Sequence, residues 1–176
     1  DVVGGRADLW LLGLLAPFVV VGVASIGLFC RQLFFVTAVG PTHVEISGHP
    51  LCPGSNYQVL LSQAGSASFR KLELFLELEE QATFRQGTDV RTERQIVWRF
   101  LIRRWNDIEP LPGTPFEAEE QLQLPSKAMH SFHSTHNAVS WRLVLRGVPK
   151  RWPAFERVFP VVVFPVDGQG SNGENK

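Results

Sequence analysis

Hydrophobic and polar residues alternate along most of the chain after residue 41, and a period of two is the pattern of half-buried β-strands. The clearest pair of strands lies between His130 and Pro165. Its first arm has apolar residues at alternate positions, namely Val139, Trp141, Leu143 and Leu145, and Arg142 lies on the opposite parity. The second arm has Phe155, Phe159, Val161 and Val163 on one parity, with Val162 and Phe164 on the other. We therefore expect the second arm to be covered on both faces, and Gly147, Pro149 and Pro153 to interrupt the ladder between the arms.

The same alternation predicts further strands at Thr42 to Ile46, Tyr57 to Gln63, Phe69 to Gln81, Gln95 to Arg103 and Phe116 to Leu124. In the third of these, Leu and Glu favour a helix, but four leucines from residue 72 to residue 78 are spaced by two, which predicts a strand. In the fourth, Arg99 and Arg103 are expected to point outward, and the inward positions are Ile96, Trp98, Phe100 and Ile102. Thr83 to Glu93 is expected to turn the chain. About seven strands with short turns predict an all-β fold, an antiparallel two-sheet sandwich.

Leu9 to Cys30 is a run of 22 residues without a charge, bounded by Asp8 and Arg31. A helix of this length rises about 33 Å, enough to cross a hydrocarbon core about 30 Å thick. A buried core helix and a signal peptide are the alternatives, but the run is long for a signal peptide and follows an aspartate. The sequence predicts a transmembrane helix over residues 9–31. Arg6 and Arg31 flank it equally and leave its orientation open.

The rest of the chain divides around this helix. Residues 1–8 are expected to be the flank of a truncated chain, because the first residue is not methionine. Residues 34–165 are predicted to form the sandwich domain, with a short β-prone run from Phe34 to Val39 at its start. Residues 166–176 have no apolar side chain after Val166, so this tail is expected to be disordered.

The amino-acid composition argues against nucleic-acid binding and against a disulfide. Lys plus Arg and Asp plus Glu both number 17, so no basic excess favours a nucleic-acid partner. Cys30 lies in the apolar run and Cys52 in a turn, and both are predicted to be free thiols.

One group of residues has the spacing of metal ligands. His130, His133 and His136 recur every third residue, and neutral imidazoles bind zinc and other metals. They lie in a loop without a nearby cysteine to complete a tetrahedral set, so solvent-exposed histidines are the simpler interpretation. Ser131 and Ser134 lack the sequence context of a hydrolase nucleophile. The sequence therefore predicts no catalytic, cofactor-binding or metal-binding residues.

Charged residues elsewhere are interpreted as the solvent-facing sides of strands. Glu117, Glu119 and Glu120 are expected to form a solvated strand face. The arginine cluster could contact anionic lipid or an acidic partner; its members are Arg85, Arg91, Arg94, Arg99, Arg103 and Arg104. The interpretation favoured here is intramolecular: Arg99 and Arg103 pair across a hairpin with the glutamates of the preceding strand, Glu73, Glu77 and Glu79.

Three passages together resemble a known superfamily. They are the turn from His49 to Gly54 before the strand that ends at Gln63, the strand from Phe116 to Pro125, and the entry from Asn137 to Trp141. They are similar to the immunoglobulin-like sandwiches of the arrestin-like superfamily, over roughly residues 42 to 165. A membrane span followed by such a domain also resembles uncharacterised bacterial membrane proteins, some with a DUF3592-type region upstream. The resemblance implies an adaptor or scaffold module without catalytic residues.

Taken together, these observations predict a non-enzymatic, membrane-anchored interaction or scaffold module. Its expected partners are the lipid bilayer and another protein, with no nucleic acid and no cofactor. The expected location is the membrane, and the resemblance favours the cytoplasmic side for the sandwich. The alternative is a membrane-anchored metal-binding or hydrolytic domain that uses His130, His133 and His136.

Overall fold

The computed structural model describes residues 4–87, 89–111 and 113–165 of the chain. One long helix, α1 (Gly4–Val39), precedes the strands. The strands within these residues are β1 (Thr42–Ile46), β2 (Asn56–Gln63), β3 (Phe69–Gln86), β4 (Asp89–Ile108), β5 (Phe116–Gln123), β6 (Phe132–His133), β7 (Asn137–Pro149) and β8 (Phe155–Val161). The predicted tail, residues 166–176, lies outside the described residues.

The strands form two antiparallel sheets. The smaller sheet has the order β1-β2-β5. The larger has the order β4-β3-β7-β6, and β8 also pairs with β7, from Phe155 opposite Gly147 to Val161 opposite Trp141. An all-β sandwich preceded by one apolar helix is therefore confirmed. Strand β3 confirms that the leucine alternation outweighs the helical propensity of its residues.

The core lies between the sheets and consists of the inward parity of each strand. Leu72, Leu74 and Leu76 of β3 are fully buried, and Val59, Leu61 and Leu122 face them from the smaller sheet. Trp141 is buried, as predicted, and its ring meets that of Trp98 edge to face at 5.5 Å. Its indole Nε1 donates to the Met129 carbonyl at 2.7 Å, so the polar atom of this large side chain is satisfied.

Four local predictions are wrong. Residues 34–39 form the last turns of α1 instead of a β-prone run. Residues 83–86 and 89–92 continue the β3–β4 ladder, and the chain turns only at its tip. Gly147 belongs to β7, where the ring of Phe155 fills the space of a side chain. Val162 and Phe164 are exposed, because the sheet covers only one face of this arm.

Ile96 and Arg103 depart from their predicted directions because β4 contains irregularities. A register shift between Leu78 and Glu79 of β3 places Ile96 opposite Glu79, on the outer face. The register shifts between Leu74 and Phe75 of β3, and a β-bulge reverses the parity of the strand beyond it. Arg103 consequently reaches Glu120 of β5, in the other sheet, at 3.3 Å.

Candidate functional site

The histidine loop does not assemble a metal site. His130, His133 and His136 are all exposed, and among the described residues no group of three or more His, Cys, Asp or Glu side chains could hold a metal ion. The neighbouring serines bond to backbone instead. The Ser131 hydroxyl accepts the Val163 amide at 3.0 Å, and the Ser134 hydroxyl accepts the Asn137 amide at 3.1 Å. This arrangement stabilises a connector and brings no nucleophile to a base.

The junction between α1 and the sandwich is the most densely bonded region near the helix. The last carbonyls of a helix have no intrahelical partners, and here the sandwich supplies them. The amides of Ser66 and Ala67 donate to the Ala38 carbonyl at 2.9 and 3.0 Å. The side-chain amide of Gln63, which is fully buried, donates to the Val39 carbonyl at 2.6 Å. The helix therefore ends inside the hydrogen-bond network of the domain.

Arg157 of β8 completes this junction. Its guanidinium donates to the Gly40 carbonyl and to the Thr42 hydroxyl. Burial lowers the pKa of Arg157, yet an arginine retains its charge at neutral pH. No basic residue lies in the last turn of α1, so Arg157 supplies the positive charge that favours a helix C-terminus.

Two glycines permit the close approach of helix and loop. Gly40 and Gly65 both have positive φ, at 69° and 99°. A Cβ on Gly65 would lie 2.4 Å from the Ala38 carbonyl oxygen, and one on Gly40 would lie 2.7 Å from the backbone of Ala64. Any side chain at either position would push α1 away from the sandwich.

Gln63 and Arg157 are not among the residues predicted from the sequence to form a site, although the sequence carries a signal for both. Gln63 follows Tyr57, Val59 and Leu61 on the inward parity of β2, and Arg157 interrupts the apolar parity of β8. A polar residue on an apolar parity near a strand end indicates a buried polar partner. The small residues of the loop after β2 likewise indicate close backbone packing.

The outer face of the larger sheet carries a buried ion-pair ladder. Glu77 of β3 has no exposed surface, and its two carboxylate oxygens accept from Arg99 of β4 at 2.6 Å and Arg142 of β7 at 3.1 Å. Arg142 also pairs with Glu79 at 2.6 Å. The predicted cross-strand pairing of Glu77 with Arg99 is thus confirmed. Strand β7 adds a second partner, Arg142, which the β3–β4 hairpin alone does not predict.

Glu73 extends the ladder toward the helix end. It pairs with Arg104 at 2.7 Å and with Lys71 at 3.0 Å. Burial alone would raise the pKa of Glu73, but hydrogen bonds and charges from Lys71 and Arg104 outweigh it, so this pKa lies below its ordinary value of 4.5. Arg99, Arg103 and Arg104 of the predicted cluster therefore pair with carboxylates of the domain, and Arg94 donates to the side-chain oxygen of Gln81 at 3.0 Å.

Strand β4 presents a long unpaired edge. Within the described residues it pairs only with β3, and its residues 89–92 continue beyond the end of β7, where β3 and β4 alone form a two-stranded ribbon. Val90 is 69% exposed and Ile96 is 39% exposed, and their pairing with Arg85 and Glu79 of β3 places both on the outer face of the larger sheet. An exposed edge with apolar side chains is a template for pairing with another chain.

A groove lies at the base of this ribbon, at the end of the sandwich away from α1. Its volume is about 670 Å³. Glu80 and Ala82 of β3 and Glu93 of β4 form part of its lining, and Met129 and Phe132 contribute from the segment before β7. The three histidines do not line it. The groove and the β4 edge share three residues of β4, Glu93, Arg94 and Gln95.

Comparisons with known proteins agree with the fold. No family model and no curated protein matches the chain. Among solved structures, the chain is similar to Spo0M, a sporulation control protein from Bacillus subtilis, with a TM-score of 0.50 and 12% identity. The similarity covers 73% of this chain and 51% of the Spo0M chain, about half of its length.

A superoxide reductase (neelaredoxin) from Ignicoccus hospitalis and a variant of it also align. Their TM-scores are 0.39 and 0.40 and their identities 14% and 13%, over 72% and 74% of this chain and 82% and 86% of theirs. At these identities the Spo0M similarity describes the fold alone. What the chain shares with Spo0M is thus an antiparallel β-sandwich fold.

Proposed function

We propose that this chain is a non-enzymatic, membrane-anchored interaction module whose β4 edge binds an extended segment of a partner protein. The observation that carries the proposal is the exposed edge from Asp89 to Ile96, which pairs on one side only within the described residues and carries the exposed apolar side chains Val90 and Ile96 among polar ones. Strand addition at such an edge takes its affinity from main-chain hydrogen bonds and its specificity from alternate side chains. The adjoining groove offers space for those side chains.

Membrane anchoring is the second part of the proposal. The segment Gly13–Val39 of α1 is long and apolar enough to cross a membrane, and its most apolar part is not buried in the protein; only its end, at Val39, enters the core. A core helix would be covered by the domain, so exposure along its length favours a lipid environment. The bonded junction would then hold the sandwich in a defined position beside the bilayer. The arrestin-like resemblance of residues 42–165 is consistent with an adaptor role.

The test uses two matched double variants of the full chain, purified from membranes in mild detergent. Val90→Lys with Ile96→Lys places charges on the β4 edge and should remove the co-purifying partner. Val158→Lys with Val162→Lys is the control, because these valines are 48% and 41% exposed at the opposite side of the same sheet. We expect the control to retain the partner at the wild-type level. Equal retention by both variants would contradict binding at the β4 edge.

The alternative function, metal binding by the three histidines, has a test of its own. A metal that binds only the folded chain raises its stability by RT ln(1 + [L]/Kd), about 2.7 kcal/mol at a hundredfold excess over Kd. A zinc-dependent rise in melting temperature that disappears in His133→Ala would favour the metal-binding function over the interaction module.

A further inference from the structure

A cleft of about 550 Å³ lies between α1 and the loop that joins β7 to β8. Leu28, Arg31, Gln32 and Phe35 line it from the helix, and Trp152 and Phe155 line it from the sandwich side. The ring of Phe35 meets that of Trp152 edge to face, with centroids 6.2 Å apart, so the two walls are in contact at one end. The cleft combines apolar surface with a cation and a side-chain amide.

Arg31 is the unusual member of this lining. It is exposed, and within the described residues it has no ion pair or side-chain hydrogen bond. Two other cations of this end have partners within the domain: Lys150 pairs with Glu109 at 3.0 Å, and Arg157 bonds to the helix C-terminus. Arg31 is therefore available for an anion from outside the domain.

The position of the cleft along α1 defines the source of that anion. Apolar side chains stay exposed on both sides of Arg31, with Phe29 before it and Phe34 and Val36 after it. Once α1 crosses a bilayer, the polar boundary of the membrane falls along this stretch of the helix, beside the sandwich. Tryptophan and basic residues are enriched at that boundary, and Arg151 and Trp152 of the β7–β8 loop lie there.

We propose that this cleft binds an anionic phospholipid, with the Arg31 guanidinium on the phosphate and the apolar wall of Leu28 and Phe35 against the start of an acyl chain. The Gln32 amide supplies a further donor, and Trp152 closes the cleft at the interfacial level. The inference rests on the membrane anchoring proposed above. It adds a lipid site that ties the β7–β8 loop to the membrane surface.

The experiment measures lipid retained by the purified full chain. The protein is reconstituted in nanodiscs of mixed phosphatidylcholine and phosphatidylglycerol, extracted into mild detergent and examined by native mass spectrometry. We expect wild type to retain phosphatidylglycerol in preference to phosphatidylcholine. Arg31→Gln should lower this preference about fivefold, since one cation near an anionic surface contributes roughly 1 kcal/mol. Arg31→Lys should restore most of it.

Arg85→Gln is the matched control, because it removes the same charge from an exposed site on the distant ribbon, and it should leave the preference unchanged. An Arg31→Gln protein that still prefers phosphatidylglycerol as wild type does would overturn the lipid site while α1 still inserts. Wild type that retains both lipids equally would overturn it too. Failure of the wild-type chain to enter nanodiscs would instead overturn the anchoring itself.

Discussion

At the residue scale, the ladder on the outer sheet face makes Arg142 a structural residue. Because Arg142 lies on the polar parity of β7, the sequence predicts a solvated arginine whose replacement should change the free energy of unfolding little. Instead, Arg142 shares the buried carboxylate of Glu77 with Arg99, and its side chain is 20% exposed. Breaking a buried pair leaves a charge without its partner, which is more costly than losing a surface contact.

We predict that Arg142→Ala lowers the free energy of unfolding by about 3 kcal/mol, the lower end of the range for breaking a buried ion pair, because Arg99 still neutralises one oxygen of Glu77. Denaturant unfolding of the domain measures this. Arg85→Ala on the exposed ribbon is the control and should change stability by less than about 0.5 kcal/mol. Equal small effects would mean that water replaces Arg142 at Glu77 without penalty.

Glu73 makes the stability of the domain depend on pH. Its folded-state pKa lies below the ordinary value of 4.5, so the native state binds fewer protons than the unfolded state. The resulting stabilisation is fully present above that ordinary value and is lost as the pH falls through the folded-state pKa. We expect the denaturant concentration at the unfolding midpoint to decrease as the pH is lowered below about 4.5. In Glu73→Gln this decrease should be smaller. Glu119→Gln, on an exposed face of β5, should keep the wild-type profile, and an equal flattening there would contradict the assignment.

At the element scale, the end of α1 belongs to both the helix and the sandwich. Val39 is buried in the core cluster, and Phe35 packs against it. The strand region therefore depends on residues that precede β1. This dependence makes the choice of domain boundary testable.

We predict that residues 34–165 are soluble in water and more stable than residues 42–165 by about 1.5–3 kcal/mol, the contribution of burying one large aliphatic side chain. Thermal or denaturant unfolding of the two fragments measures the difference. The full chain, which includes the apolar run of α1, should partition into detergent. An aqueous full chain would contradict membrane anchoring, and equal stability of the two fragments would contradict the role of Val39.

At the scale of the whole molecule, the proposed functions lie at opposite ends of the sandwich. The junction, Arg31 and the β7–β8 loop are at the end that carries α1, whereas the free part of β4 and its groove are at the other. Strand β3 spans both ends in 18 residues, about 60 Å at the rise of an extended strand. This geometry allows one end to contact lipid while the other contacts a protein.

The sequence by itself determined the apolar helix, the alternating strands, the inward position of Trp141 and the pairing of Glu77 with Arg99. These follow from local periodicity, because side-chain parity along a strand depends only on neighbouring residues. Tertiary structure decided the length of the β3–β4 ribbon and the direction of Arg103, since a bulge reverses parity without any signal in the pattern. It also brought Arg157, 117 residues from Gly40 in the chain, to the end of α1. Such contacts depend on how distant segments pack together, which no local pattern specifies.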